Sequence, residues 1–165
     1  MAVRPSASAL DGIGEIPRPV GAGVRWTRRD QWHVTLAFLG DVDEPAVVSL
    51  LALVEFPAVQ ARLGPAVEMI RRDVVVIPVA GLDELAAAVR SAIGSAAPEL
   101  THRSFLGHLT MARSRSGVVP VLVGHPVDVS FDVKEFSLVR SELDSDGARH
   151  FTVARFALGP GARTT

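Results

Sequence analysis

The sequence predicts an α+β fold: two pseudo-symmetric lobes of antiparallel sheet with helices, set around a central groove. Three observations predict it. Short apolar runs with a period of two are interrupted by only two stretches of helical period, without the strict alternation of a parallel βαβ fold. The phrase H-apolar-T-apolar occurs twice, at His33–Leu36 and His108–Met111, 75 residues apart in a chain of 165, which fits one such strand per lobe. With 48% hydrophobic and 21% charged residues, the chain can bury a core of single-domain size. Residues 1–158 are expected to form one bilobal domain, with 159–165 as a disordered tail.

Taken in order, His33–Leu39 (HVTLAFL) reads as a strand whose Val34, Leu36 and Phe38 face a core, closed by Gly40-Asp41. Asp43-Glu44-Pro45 starts a helix, with acids at the positive end of its dipole and proline in its first turn. Val47, Leu50, Leu51 and Val54 give that helix its apolar face, and Phe56-Pro57 ends it. Val67–Ile70 and Val74–Val79 read as antiparallel strands separated by Arg71-Arg72-Asp73. Gly81-Leu82-Asp83-Glu84 opens a second helix with Leu85, Ala88, Val89, Ala92 and Ile93 on one face. From Gly94 the chain reads as loop. Leu106–Ala112 is a strand followed by a polar loop, Arg113–Gly117, and Val118–Val123 is apolar. Val127–Phe131 and Phe136–Arg140 are further strands. Asp144-Ser145-Asp146-Gly147 is a turn into the closing hairpin strand, His150–Leu158.

Composition narrows the function. The formal net charge is −1, so any phosphate site must be local. Of 17 basic residues only Lys134 is lysine; the rest are arginine, whose planar fork suits phosphate. There is no cysteine, which excludes disulfides, thiolate nucleophiles and cysteine-ligated metals. Met1–Arg18 lacks the apolar core of a signal peptide, and Ala46–Val54 and Val74–Ala80 are too short to span a bilayer. A cytoplasmic monomer is expected, with no membrane partner.

Chemistry gathers on the paired motif. Alternation along a strand turns His33 with Thr35, and His108 with Thr110, to one face, while Val34, Leu36, Leu109 and Met111 face the core. If the lobes pack about a twofold axis, one groove receives two imidazoles and two hydroxyls. A neutral histidine can take a proton from water and a protonated one can give a proton to a leaving alkoxide. Threonine hydroxyls can donate to the non-bridging oxygens of a phosphodiester. Neither histidine has acids clustered near it, so no metal or cofactor is expected. His102, His125 and His150 read as structural or surface residues. A metal hydrolase ranks last, for want of an i, i+4 histidine pair or an adjacent carboxylate. A non-catalytic binder of phosphorylated RNA ends is the alternative, against which both motifs are complete.

HVTLAFLG and HLTMAR resemble the 2H phosphoesterase superfamily, in particular its bacterial 2′-5′ RNA ligase or RNA 2′,3′-cyclic phosphodiesterase branch. Val24–Gly40, Arg72–Val89 and Phe136–Leu158 are similar to its first motif, middle strand and helix, and closing hairpin, so the resemblance covers nearly the whole chain. It implies hydrolysis of a terminal 2′,3′-cyclic phosphate to a 2′-phosphate, with weak 2′-5′ ligation in some members, on RNA 3′ ends or small cyclic-phosphate nucleotides. It makes His33 and His108 the catalytic pair and Thr35, Thr110 and Arg113 the phosphate ligands; His33 is assigned here as base and His108 as acid, with the opposite polarity as the alternative. Strand parity turns Arg113 away from the groove unless a bulge intervenes. Three departures stand out. The apolar strand common in the family before the segment matching Ala2-Val3-Arg4-Pro5 is almost wholly missing, either through a late start or through loss of an edge strand that would weaken the first lobe or open a sheet edge; Gly107 replaces a common proline; His150 replaces a common aromatic, expected without consequence. Trp32 and Phe105 are the candidates to contact a base.

Overall fold

The structure is a computed structural model that describes residues 1–19, 23–94, 96, 104–115, 121–144 and 147–159. The strands are β1 (Ala2–Val3), β2 (Val24–Trp26), β3 (Val34–Thr35), β4 (Val59–Leu63), β5 (Glu68–Ile70), β6 (Val74–Ala80), β7 (His108–Ser114), β8 (Val129–Val133), β9 (Glu135–Asp144) and β10 (Gly147–Ala157). The helices are α1 (Ala7–Gly14), α2 (Glu44–Ala52) and α3 (Asp83–Ala92). The strands run in the order β10-β9-β1-β3-β7-β6-β4-β8, with β2 added to β7 and β5 to β6. The pairings between these strands are antiparallel. The two motif strands, β3 and β7, meet at the middle of this path, with four strands on either side counting themselves. This is the expected α+β arrangement of two halves.

Both expected helices form. Asp43 caps α2 by accepting from the Ala46 N–H at 3.3 Å, and Val47 and Leu51 are buried. Leu85, Ala86 and Val89 bury one face of α3. The sequence reading missed α1, whose signal is one cap, Ser6 accepting from Ala9, and two buried residues, Ala9 and Ile13. It also missed β2 and β4, although Val59-Gln60-Ala61-Arg62-Leu63 alternates plainly. Ser116–Pro120, Ser145, Asp146, His102 and residues 160–165 of the expected tail lie outside the described residues. Gly159 does not belong to a loose tail: its N–H donates to the Phe56 carbonyl at 2.9 Å.

Two expectations about β1 and β3 are corrected. β1 is short, but it lies in the sheet interior: Ala2 pairs with Thr35 on one side and Ser137 on the other, and Val3 is wholly buried. No edge is opened there. The strand expected over His33–Leu39 keeps its ladder only at Val34–Thr35, and Phe38, expected in the core, is 71% exposed. The cause is a slip in alternation. Leu36 and Ala37 are both buried, one after the other, held by the Leu36 N–H to the Met1 carbonyl and the Met1 nitrogen to the Ala37 carbonyl, each at 2.9 Å.

The same slip occurs in β7. Met111 and Ala112 are both buried, and the pairing with β6 skips Met111: Val76 faces Thr110 while Val75 faces Ala112. That is a β-bulge. Offset by 75 residues, Leu36-Ala37 corresponds to Met111-Ala112, and Phe38 to Arg113. Between β5 and β6, Arg71 and Arg72 both have positive φ, 53° and 63°, as a tight hairpin turn requires. Asparagine and glycine adopt this easily; for arginine it costs on the order of 1 kcal/mol per residue.

Candidate active site

The register of one residue pair sets the site. Val34 faces Leu109 across the β3–β7 pairing, and both side chains are fully buried. Extended by one residue on either side, an antiparallel ladder through that pair would set His33 opposite Thr110 and Thr35 opposite His108, all on the other face. The two histidines then occupy one diagonal of a square and the two threonines the other. Diagonal neighbours on such a ladder lie about 7–8 Å apart, a span that one phosphate with its oxygens can bridge. A twofold rotation about the centre of the Val34–Leu109 pair exchanges the two motifs.

Each imidazole is held in the same way. Nδ1 of His33 donates to the Gln31 carbonyl at 2.6 Å, and Nδ1 of His108 donates to the Leu106 carbonyl at 2.8 Å. A carbonyl can only accept, so Nδ1 carries the proton in both rings. Nε2 is left to accept a proton when the ring is neutral, or to give one when it is charged. Burial holds His33 below the ordinary imidazole pKa; the Gln31 carbonyl opposes this, and charge on His150, the Met1 amine and Arg4 adds to it. His33 is therefore biased toward the neutral ring that a base requires.

A relay behind the sheet ties the motifs together. The indole N–H of Trp32, next to His33, donates to the Thr27 hydroxyl at 3.0 Å. That hydroxyl lies 2.8 Å from both the Thr110 and Met111 carbonyls, at the bulge. Trp32 is 1% exposed, so its place is in the core and it cannot contact a base.

The face opens into a groove of about 390 Å³ whose lining includes Thr35, Phe38, Phe105, His108, Thr110 and Arg113, while His33 is not among its lining residues. Arg113 reaches it because the Met111 bulge reverses the parity that would have turned it away. Phe38 reaches it through the matching slip at Leu36-Ala37. A larger depression, about 540 Å³, lies at the β4–β8 edge and holds neither histidine. His150 belongs to the site, against expectation: its ring meets that of His33 edge-on, with centroids 4.9 Å apart. Burial, then Arg4, lower its pKa, while Asp30 opposes them. The departure at position 150 was visible in the sequence, but its contact with position 33 depends on long-range pairing. His125 is half-buried in the loop before β8 and does not line the groove. Among the described residues, no group of three His, Cys, Asp or Glu could hold a metal ion, and no helix is long and apolar enough to cross a membrane.

Paired histidines on twofold-related strands are the arrangement that a two-histidine phosphoesterase would use. Comparison with known proteins agrees. Residues 4–63 match the LigT-like phosphoesterase family. The RNA 2′,3′-cyclic phosphodiesterase of Escherichia coli is 31% identical over 151 residues, covering 87% of this chain and 81% of that protein. A crystal structure from Thermus thermophilus aligns with a TM-score of 0.78 at 25% identity over 95% of each chain. E. coli LigT in its apo form gives 0.78 at 29% identity over 95% of this chain and 94% of that one. Its complex with 3′-AMP gives 0.77, again at 29% identity. The chain belongs to the LigT-like phosphoesterase family.

Proposed function

We propose that this protein hydrolyses the 2′,3′-cyclic phosphate of RNA 3′ ends or small nucleotides to a 2′-phosphate, without a metal. The observation that carries this is the diagonal pair of imidazoles, each with Nδ1 tied to a backbone carbonyl and Nε2 free. Nε2 of His33 takes a proton from water, whose oxygen forms the new bond to phosphorus. The bond from phosphorus to the ribose 3′-oxygen breaks, and that oxygen takes the proton from Nε2 of charged His108. Hydroxyls of Thr35 and Thr110 donate to the non-bridging oxygens, and Arg113 balances their charge. The printed activity of the E. coli relative and the complex of its LigT with 3′-AMP support the nucleotide reading.

The exposed ring of Phe38, with Phe105 nearby, offers a face for a base; such stacking is worth about 1–3 kcal/mol. If the 5′-hydroxyl of a second strand replaces water, the same proton transfers join it to phosphorus and make a 2′-5′ linkage, the expected weak ligation. On this reading residues 1–158 act as one bilobal unit, a monomer in the cytoplasm, where RNA ends are met.

The test is incubation with a nucleoside 2′,3′-cyclic phosphate in the presence of EDTA. The 2′-phosphate is the expected product. His33→Ala or His108→Ala should lower turnover by about 10²–10⁴-fold with the fold retained by circular dichroism. A 3′-phosphate product, or activity abolished by the chelator, refutes the mechanism. Tight binding of cyclic-phosphate ends by the wild type without turnover selects the binder.

A further inference from the structure

The groove carries more positive charge than the reaction needs. A 2′,3′-cyclic phosphate bears one negative charge, which Arg113 and a protonated His108 already meet. Two more arginines, Arg71 and Arg90, line the same groove with Ser104. No Asp or Glu is among its lining residues, and Arg71, Arg90 and Arg113 make no ion pair within the described structure. Arg90 is half-buried, where an unpaired guanidinium loses part of its hydration.

Their placement is directional. Arg113 on β7 faces Val74 on β6, Val74 faces Ile70 on β5, and Arg71 follows Ile70. At the usual strand spacing, the Arg71 backbone lies roughly 10 Å along the sheet from β7, on the side away from His33. Arg71 also stands where glycine or asparagine would sit without strain, with φ at 53°.

We propose that Arg71 and Arg90 form a second anion subsite for the phosphate on the 5′-oxygen of the terminal nucleotide. This rests on the cyclic-phosphate reading and deepens it. With the 2′,3′ edge of the ribose held between the histidines and the base on Phe38, the 5′ carbon is the remaining exit from the nucleoside. A phosphate there is either free or the link to the preceding nucleotide; both present the same oxygens to a guanidinium fork.

The experiment compares kcat/KM for three substrates: a nucleoside 2′,3′-cyclic phosphate, the same compound with a 5′-phosphate, and a dinucleotide ending in the cyclic phosphate. Wild-type protein is expected to favour both 5′-substituted substrates by about tenfold or more. In Arg71→Asn, chosen because asparagine tolerates positive φ, and in Arg90→Gln, the ratio should fall toward one. A preference for the dinucleotide alone assigns the subsite to the internucleotide link; equal preference assigns it to either source. Equal wild-type rates on all three substrates, or an unchanged ratio in both folded variants, overturns the subsite and leaves the hydrolase standing. Failure of the wild type to cleave any of the three overturns the hydrolase itself, and the subsite with it.

Discussion

At the scale of the residue, the proposed acid–base pair is sorted by its surroundings. In the proposed mechanism His33 must be neutral to take a proton, and burial holds its pKa down, so the acid limb of the kcat/KM profile should fall below pH 6.5, the ordinary imidazole value. His150, edge-on to that ring, contributes to the depression, together with Arg4 and the Met1 amine; Asp30 faces His150 with the opposite sign. His150→Phe keeps an aromatic ring and removes the charge. It should move the acid limb upward in pH; a limb that stays put, with the fold intact, would show that His150 does not act on His33. The same shifts bear on stability. With pKa lowered on folding, His33 and His150 bind fewer protons in the native state than in the unfolded chain. Stability is therefore undiminished above about pH 6.5 and declines as pH falls from there toward the folded pKa values.

At the scale of the element, β7 is placed by what fits against it. A Cβ built on Gly107 would lie 2.2 Å from the Val79 carbonyl oxygen, inside any real contact. That carbonyl is backbone and cannot swing aside, and the Gly107 carbonyl accepts the Val79 N–H at 2.9 Å. A proline in this backbone would bring the same clash. Gly107→Ala should cost about 1–3 kcal/mol by thermal or denaturant unfolding, and should lower kcat because the displaced residue adjoins His108. Equal stability and kcat to wild type would show that β7 is held by something else. The two slips in alternation belong to this scale too. They bring Phe38 and Arg113 to the groove at matching positions, and each follows a buried pair ending in alanine, Leu36-Ala37 and Met111-Ala112.

At the scale of the whole molecule, the halves meet at the Val34–Leu109 pair and along the β2–β7 pairing, over one shared core. Leu109→Ala should cost about 2–5 kcal/mol and lower the melting temperature in a single transition, since the cavity lies where both halves share their core. Two separate transitions would mean the halves fold independently. Much of this plan was legible in the sequence. The repeated H-x-T phrase carried the twofold, and local period and caps carried α2, α3, the β5–β6 pair and the closing hairpin. What was not legible depends on partners far along the chain. Phe38 reads as core until the Met1 backbone fixes the slip beside it, and the role of Ala2-Val3 depends on Ser137 and Thr35 arriving on either side. His150 looked inert because 117 residues separate it from the ring it touches.

The rotation that exchanges the two rings does not exchange their neighbours. His33 has a third imidazole, that of His150, edge-on to its ring, whereas His108 shares its groove with two phenylalanines and three arginines. Likeness at the centre is thus set in unlike surroundings, and those surroundings are what tell one imidazole from the other.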